Sequence, residues 1–265
     1  MLNYVPEITH GRITDQNTDR PLRKPSRKND ISDDDLRLLD LYRRDFFEAY
    51  EIVIGTIREK LSLEPTGRPA KSTTSISDKL RRESIRLSQV QDIAGCRLIV
   101  ADIAAQDATV ELLKGLFENI AVVDRRKQPS HGYRAVHAIV KCHGRFIEIQ
   151  IRTQFQHLWA ELSEKFSDVV DPAIKYGGGD KKIQSVLINV SDLITAFESL
   201  EIEFTAKVKK LSSKLGVSES GIAETREFSE LREELDKLRL VLLSDLNDNI
   251  KNVTEFKRLA NDISD

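Results

Sequence analysis

HGYRAVHAIVKCHGRFIEIQIRT, residues 131–153, decides how this chain is read. Two runs alternate between apolar and polar positions, and His143-Gly144 separates them. A period of two marks a half-buried strand, and glycine at the second position of a two-residue loop suits a type I′ turn. That turn pairs Cys142 with Arg145. It sets Ile139 opposite Glu148, His137 opposite Gln150, and Ala135 opposite Arg152. Tyr133, His137, Glu148, Gln150 and Arg152 then share one face, while Val136, Ala138, Val140, Ile147, Ile149 and Ile151 fill the other. A slip of one residue would undo this coincidence. A face collecting a phenol, an imidazole, a carboxylate, an amide and a guanidinium bears chemistry. An ordinary solvated sheet carries Lys, Glu and Thr instead.

Working outward, QDIAGCRLIV (91–100) adds Asp92 just before a buried strand, with Gly95 allowing close backbone approach and Arg97 following. Asp92 and Glu148 together make an oxygen site of the kind Mg²⁺ occupies when phosphates complete its shell. Arg68, Lys71, Lys79, Arg81 and Arg82 gather around a Ser/Thr-rich loop that leads into a short basic helix. Cations and backbone donors at a helix start are what a triphosphate needs. No G-x-x-x-x-G-K-[ST] pattern is present, so this is not a P-loop. Arg125, Arg126 and Lys127, in DRRKQPSHGY (124–133), form a second cationic cluster close to Tyr133. Two such clusters flanking a carboxylate pair suit two polyphosphates with a metal between them.

The 265 residues are 40% hydrophobic and 32% charged, with a net charge of −2, as expected of a globular chain with long exposed helices. No apolar run approaches the roughly 20 residues that span a bilayer. The N-terminus has no basic start followed by an apolar core, so no secretory signal is expected. Cys96 and Cys142 are too few and too separated for a disulfide framework or a zinc site. A cytoplasmic protein without membrane contact is expected. Residues 1–31 read as a flexible polar tail, residues 32–172 as a domain of strands alternating with helices, and residues 173–265 as a C-terminal extension. In that extension Ile183, Leu187, Val190, Ile194, Phe197, Phe204 and Val208 follow helical spacing, as do Phe228, Leu231, Leu235, Leu238 and Leu242. GVSESGIAET (216–225) separates the two runs, which predicts a helical hairpin or an oligomerisation arm.

Five segments, AKSTTSISDKL, QDIAGCRLIV, GYRAVHAIV, EIQIRT and HLWAELSEKF, resemble in order the synthetase domain of the RelA/SpoT family. The resemblance implies an α+β fold: a mixed β-sheet, nucleotidyltransferase-like synthetase core flanked by helices. It implies a small, synthetase-only member, since no His-Asp pair of the family's hydrolase domain occurs. It further implies transfer of the β,γ-pyrophosphate of ATP to the ribose 3′-hydroxyl of GDP or GTP, giving (p)ppGpp, with Mg²⁺ as cofactor. By position, Asp92 resembles the Mg²⁺ ligand, and Glu148 the second acidic residue that assists the metal or takes the 3′-hydroxyl proton. Lys71 and Lys79 resemble ATP-phosphate contacts, and Arg97, with Arg68, the adenine clamp. Tyr133 resembles the aromatic that stacks on the acceptor guanine. His137 lies beside the acceptor phosphates, with Arg125 and Lys127 nearby. Gln150 and Arg152 take supporting roles. Three departures stand out. Arg68 lies one residue further from Lys71 than the family pattern has it, DRRKQPSHGY replaces a tyrosine-rich segment, and His157 stands where many members carry Asn or Asp. The last leaves the acceptor open, and two alternatives stand beside GDP/GTP synthesis. One is a toxin-like acceptor change to adenine nucleotides or a tRNA 3′ end. The other is a non-catalytic nucleotide-sensing module. A homo-oligomer assembled through the C-terminal helices is also expected.

Overall fold

A computed structural model describes residues 33–83 and 85–262. The polar tail expected over residues 1–31 lies outside them. Five strands form one mixed sheet: β1 (Thr66–Arg68), β2 (Ala94–Val100), β3 (Ile120–Asp124), β4 (Val136–Cys142) and β5 (Arg145–Thr153), in the order β1-β2-β5-β4-β3. Helices flank it, giving the α+β class that the sequence predicts. Among the described residues no helix is long and apolar enough to cross a membrane.

The hairpin follows from its turn. Only His143 (φ 47°) and Gly144 (φ 78°) separate β4 from β5, and both are left-handed, as type I′ demands. Val136, Ala138, Val140, Ile147, Ile149 and Ile151 are each at most 1% exposed, so the expected apolar face is dry. The opposite face is not an open surface either. Ala135 and Arg152 are buried, and Glu148, Gln150 and His137 are half-buried. A second turn of the same kind precedes it: His131 (φ 54°) and Gly132 (φ 87°) are closed by Tyr133 N–H donating to Ser130 O at 2.9 Å. The sequence signal, His-Gly, is identical at both sites.

Two expectations change. The segment 62–75 reads as loop, yet Thr66–Arg68 forms β1, antiparallel to β2 through the pairs Thr66–Arg97, Gly67–Cys96 and Arg68–Gly95. An edge strand between two prolines needs backbone partners and no side-chain alternation, so its pattern is silent. The helical spacing of Leu39, Phe46, Tyr50, Val53 and Ile57 after Ser32 reads as one helix, yet the segment forms two, α1 (Asp33–Arg44) and α2 (Phe47–Leu61). The break presents Asp45 to Arg145, whose Nη2 lies 2.9 Å from the carboxylate. The same guanidinium lies 5.3 Å from the ring centroid of Tyr42 and 5.6 Å from that of Phe46. A partner one hundred residues away leaves no trace in helical periodicity. Leu39, Phe46, Tyr50, Val53 and Ile57 are buried as their spacing predicts.

The chain divides into two compact units. Among the described residues, the first comprises 33–98, 116–121 and 138–150, and holds α1, α2, β1 and α3 (Thr73–Glu83). Here Gly95 is obligatory. A Cβ on it would stand 2.4 Å from the carbonyl oxygen of Glu148, so only glycine allows β2 to approach that backbone. The second unit comprises Ile99–Gly115, Val122–His137 and Ile151–Asp265. It holds α4 (Ile103–Leu116), α5 (Gln154–Val169), α6 (Lys181–Leu215), α7 (Glu219–Ala223) and α8 (Arg226–Asp262). Its core joins Phe155, Leu158 and Trp159 of α5 to Leu187, Ile194 and Phe197 of α6 and to Leu242 and Leu246 of α8. The apolar stripes of the C-terminal helices are thus filled in part by α5 of the same unit. The expected interruption at residues 216–225 holds a left-handed Gly216 and the short α7, capped by Ser218.

Gly95→Ala should destabilise the protein by about 1–3 kcal/mol, the usual cost of overpacking a rigid neighbour. Urea unfolding should show it as a lower midpoint at unchanged slope. An unchanged midpoint would contradict the close approach of β2 to Glu148.

Candidate active site

In the first unit, α3 and the segment entering β2 bring three charges together. Lys71 is anchored by its own backbone, whose N–H donates to Ile93 O at 2.6 Å. Lys79 lies on the second turn of α3. Lys71 Nζ reaches Asp92 Oδ2 at 2.6 Å, and Lys79 Nζ reaches Asp92 Oδ1 at 2.7 Å. The two lysine side chains are 18% exposed and that of Asp92 21%, so solvent screens the cluster only partly. Burial pushes the Asp92 pKa up, but the two ammonium groups and their hydrogen bonds outweigh it and hold it at about 2. Asp92 is ionised at any ordinary pH. The trio carries one net positive charge, and beside it Glu83 lies 3.8 Å from Lys79 Nζ and 3.0 Å from Arg82 Nη2.

Glu148, on β5, is half-buried, and its Oε2 accepts from Gln150 Nε2 at 2.9 Å. Gln150 therefore orients the carboxylate. Cys96 lies nearby on β2; burial first, then the charge of Glu148, pushes its thiol up to about 12. It stays protonated. The ionised ligands offered here are carboxylate oxygens, the donor set of a hard cation, and no thiolate competes. Among the described residues no cluster of three or more His, Cys, Asp or Glu could enclose a metal alone. Asp92 and Glu148 are two carboxylates of this unit that could hold Mg²⁺, with phosphate oxygens supplying further ligands. Arg97 is half-buried on β2, and the backbone of Arg68 pairs with Gly95.

In the second unit, the turn at His131-Gly132 delivers Tyr133. Its hydroxyl lies 2.9 Å from His137 Nε2 and accepts from Arg152 Nη2 at 3.1 Å. The Arg152 guanidinium also lies 5.2 Å from the Tyr133 ring centroid. Arg152 is only 4% exposed, so it is a prop beneath Tyr133. The indole of Trp159, buried in the α5 core, stands 6.2 Å from the Tyr133 ring and donates to Leu187 O at 2.7 Å. Gly132 cannot be replaced freely: a Cβ there would lie 2.8 Å from Trp159. His157, on α5, places Nε2 3.5 Å from Glu161 one turn later.

The three cations that follow β3 separate in role. Arg126 is committed to the fold: it grips Asp124 at 2.8 Å and Asp107 at 2.7 Å and donates to Gln106 Oε1 at 3.1 Å. Burial works against its charge, and the two carboxylates outweigh that and raise its pKa. Arg125 is half-buried, with its N–H bonded to Ala135 O, and Lys127 is exposed. A cavity of about 220 Å³ has Asp124, Arg126, Lys127, Arg134, Thr195 and Glu198 among its lining. Arg134 and Glu198 escaped the sequence reading. A carboxylate beside Phe197 on an otherwise apolar helical stripe was the available signal.

Residues 67–167 match the model of a region found in RelA/SpoT proteins. Over 113 residues the chain is 38% identical to an uncharacterized protein of Mycobacterium tuberculosis, covering 40% of this chain and 41% of that one. Over 111 residues it is 33% identical to a probable chloroplastic GTP diphosphokinase of Oryza sativa subsp. japonica, covering 40% of this chain and 16% of the relative. The matched stretch is thus less than half the length of either relative. Among solved structures, a GTP pyrophosphokinase family protein from Streptococcus pneumoniae is 21% identical, with a TM-score of 0.50. It covers 68% of this chain and 97% of its own, a likeness of fold. The small alarmone synthetase 1 of Bacillus subtilis, bound to its product pppGpp, is 25% identical with a TM-score of 0.49 over 65% of this chain and 97% of its own. Asp92, Glu148, both lysines, Tyr133 and His157 all fall inside the matched region. Residues 67–167 thus form a region similar to one found in RelA/SpoT proteins.

Proposed function

We propose that this protein transfers the β,γ-pyrophosphate of ATP to the ribose 3′-hydroxyl of GDP or GTP, making (p)ppGpp. The observation that carries the reading is the convergence of Lys71 and Lys79 on Asp92 inside the family-matched region. Such transfer needs positioning and charge neutralisation more than covalent help. ATP's phosphates offer the lysines more negative oxygen than one carboxylate does, so Lys71 and Lys79 move to the nucleotide and release Asp92. Asp92 and Glu148 would then hold Mg²⁺, which polarises the phosphate under attack. The 3′-oxygen bonds to the β-phosphorus, the bond to the α–β bridging oxygen breaks, and AMP leaves. Glu148, oriented by Gln150, takes the 3′-hydroxyl proton. Arg68 and Arg97 clamp the adenine.

On the acceptor side Tyr133 stacks on the base, held by Arg152, and His137, Arg125 and Lys127 meet the phosphates. His157 reads the base edge. A neutral imidazole offers one donor and one acceptor where Asn or Asp would accept from guanine, so discrimination against adenine is weaker than in typical relatives. The cytoplasm supplies both nucleotides and is the proposed location. A homo-oligomer through the C-terminal helices is part of the same proposal. Val186, Leu193 and Leu200 recur every seven residues on α6 and are 48%, 53% and 48% exposed.

Incubating the protein with labelled ATP and, separately, GDP, GTP, AMP, ATP and tRNA tests the reading; label on GDP or GTP is expected. Label on tRNA or adenine nucleotides alone would transfer the same chemistry to a toxin-like acceptor, and no labelled product at all would leave a sensing module. Asp92→Asn and Glu148→Gln should each lower kcat at least about 100-fold, the usual worth of a general base or more. More than about a tenth of the activity surviving in Glu148→Gln would refute its role. Tyr133→Ala should raise the acceptor KM and spare that of ATP, since stacking is worth roughly 1–3 kcal/mol per base. A rise in the ATP KM alone would mean the two nucleotide pockets are assigned the wrong way round. Leu193→Glu should lower the mass seen by light scattering; a mass that matches the monomer before and after would remove the oligomer.

A further inference from the structure

We infer that Glu198, on α6 and outside residues 67–167, is the positioning residue that fixes the acceptor-nucleotide side chains, a role resting on the synthetase reading above. Its side chain is buried, with the residue only 2% exposed. A carboxylate placed so deep costs heavily unless its oxygens are matched. Burial pushes its pKa up, while Thr153, Arg134 and Gln156 act against that shift.

Each partner leads to a different segment. Oε1 accepts from Thr153 Oγ1 at 2.7 Å and from Gln156 Nε2 at 3.0 Å. The Thr153 hydroxyl directs its one proton to Glu198, which leaves a lone pair for Gln156 N–H at 3.2 Å, the cap of α5. The start of α5, which carries His157, is thereby set. Oε2 accepts no hydrogen bond but lies 3.3 Å from Nη1 of Arg134, the neighbour of Tyr133, as an ion pair. Arg134 Nη1 gives its hydrogen bond to Thr195 Oγ1, one turn earlier on α6. Two residues of α6 thus hold the segment that presents Tyr133.

A third branch runs through amides whose orientation is forced. Arg126 donates to Gln106 Oε1 at 3.1 Å, and Gln106 Nε2 donates to Gln156 Oε1 at 2.9 Å and to Ile151 O at 2.7 Å. Gln156 Nε2 then donates to Glu198. Every donor points the same way, so the chain needs an acceptor oxygen at its end. Glu198 is that acceptor, and the branch reaches the turn holding Arg125 and Lys127. Glu198 and Lys127 also line the same cavity. Three acceptor-side segments therefore share one carboxylate supplied by the C-terminal helix.

The neutral isostere separates positioning from bulk packing. Glu198→Gln keeps an oxygen for Thr153 and Gln156 but turns an NH₂ toward Arg134, two donors face to face. It should raise the acceptor KM about tenfold or more and leave the ATP KM within about twofold, with little loss of Tm. Adding Arg134→Gln, which restores a donor–acceptor pair, should recover part of that acceptor affinity. Both KM values rising together, or no rescue in the double variant, would overturn the inference. Hydrogen exchange gives a readout independent of turnover: in Glu198→Gln, amides of residues 124–137 and 153–157 should exchange faster together. If the unaltered protein transfers nothing, the synthetase reading fails by itself, and this exchange pattern still decides the role of Glu198. Faster exchange confined to α6 would refute it.

Discussion

Two ammonium groups on one carboxylate is the contact on which the first unit turns. Lys71 comes from the segment after β1, Lys79 from α3, and Asp92 from the approach to β2. The pairings at 2.6 and 2.7 Å therefore tie three pieces of chain together. Partial burial makes the ties stronger than surface ion pairs, and the net positive charge keeps the cluster attractive to anions. Under the proposed reading that charge has a second use. A polyphosphate competes for both lysines and frees the carboxylate that the metal requires. The fold and the chemistry then draw on the same three side chains, and nucleotide binding precedes the assembly of the metal site.

The second unit solves a different problem. Under the proposed reading it stacks on the acceptor base and reads its edge, tasks that need rigid side chains more than charge, and rigidity comes from beneath. Arg152 supports Tyr133 from below, Trp159 backs the ring, and Glu198 fixes the segments on either side. The C-terminal helices contribute both the apolar core around α5 and the buried carboxylate. They belong to the construction of this unit, whatever else their exposed faces contact.

Local signals were readable in the sequence and distant ones were not. The β4–β5 hairpin was legible because alternation and a His-Gly turn are properties of adjacent residues. Gly95 was legible as a close approach, though the atom it approaches, the Glu148 carbonyl, was not. β1 escaped because an edge strand is defined by its partner's backbone. The break at Asp45 escaped because Arg145 causes no change in local periodicity. At the candidate site, the division of labour among the residues needed three dimensions. Arg126 reads like Arg125 and Lys127, yet two carboxylates and an amide have claimed it. Arg152, expected in a supporting role, is a buried side chain beneath Tyr133. Glu198 sits thirty-one residues beyond the matched region, where no motif pointed.

The exchange of lysines between Asp92 and the phosphates is the central claim, and it has a test whose sign reverses with metal. Binding of a non-hydrolysable ATP analogue to the parent protein and to Asp92→Asn would be measured by calorimetry, once in EDTA and once in Mg²⁺. Without metal, removing the competing carboxylate should tighten binding several-fold, up to about tenfold, or about 1.4 kcal/mol. With Mg²⁺, the same substitution should weaken binding, because a metal ligand is lost. Weaker or unchanged binding of the analogue by Asp92→Asn in EDTA would contradict the account, since Lys71 and Lys79 would then not be the groups that ATP takes from Asp92.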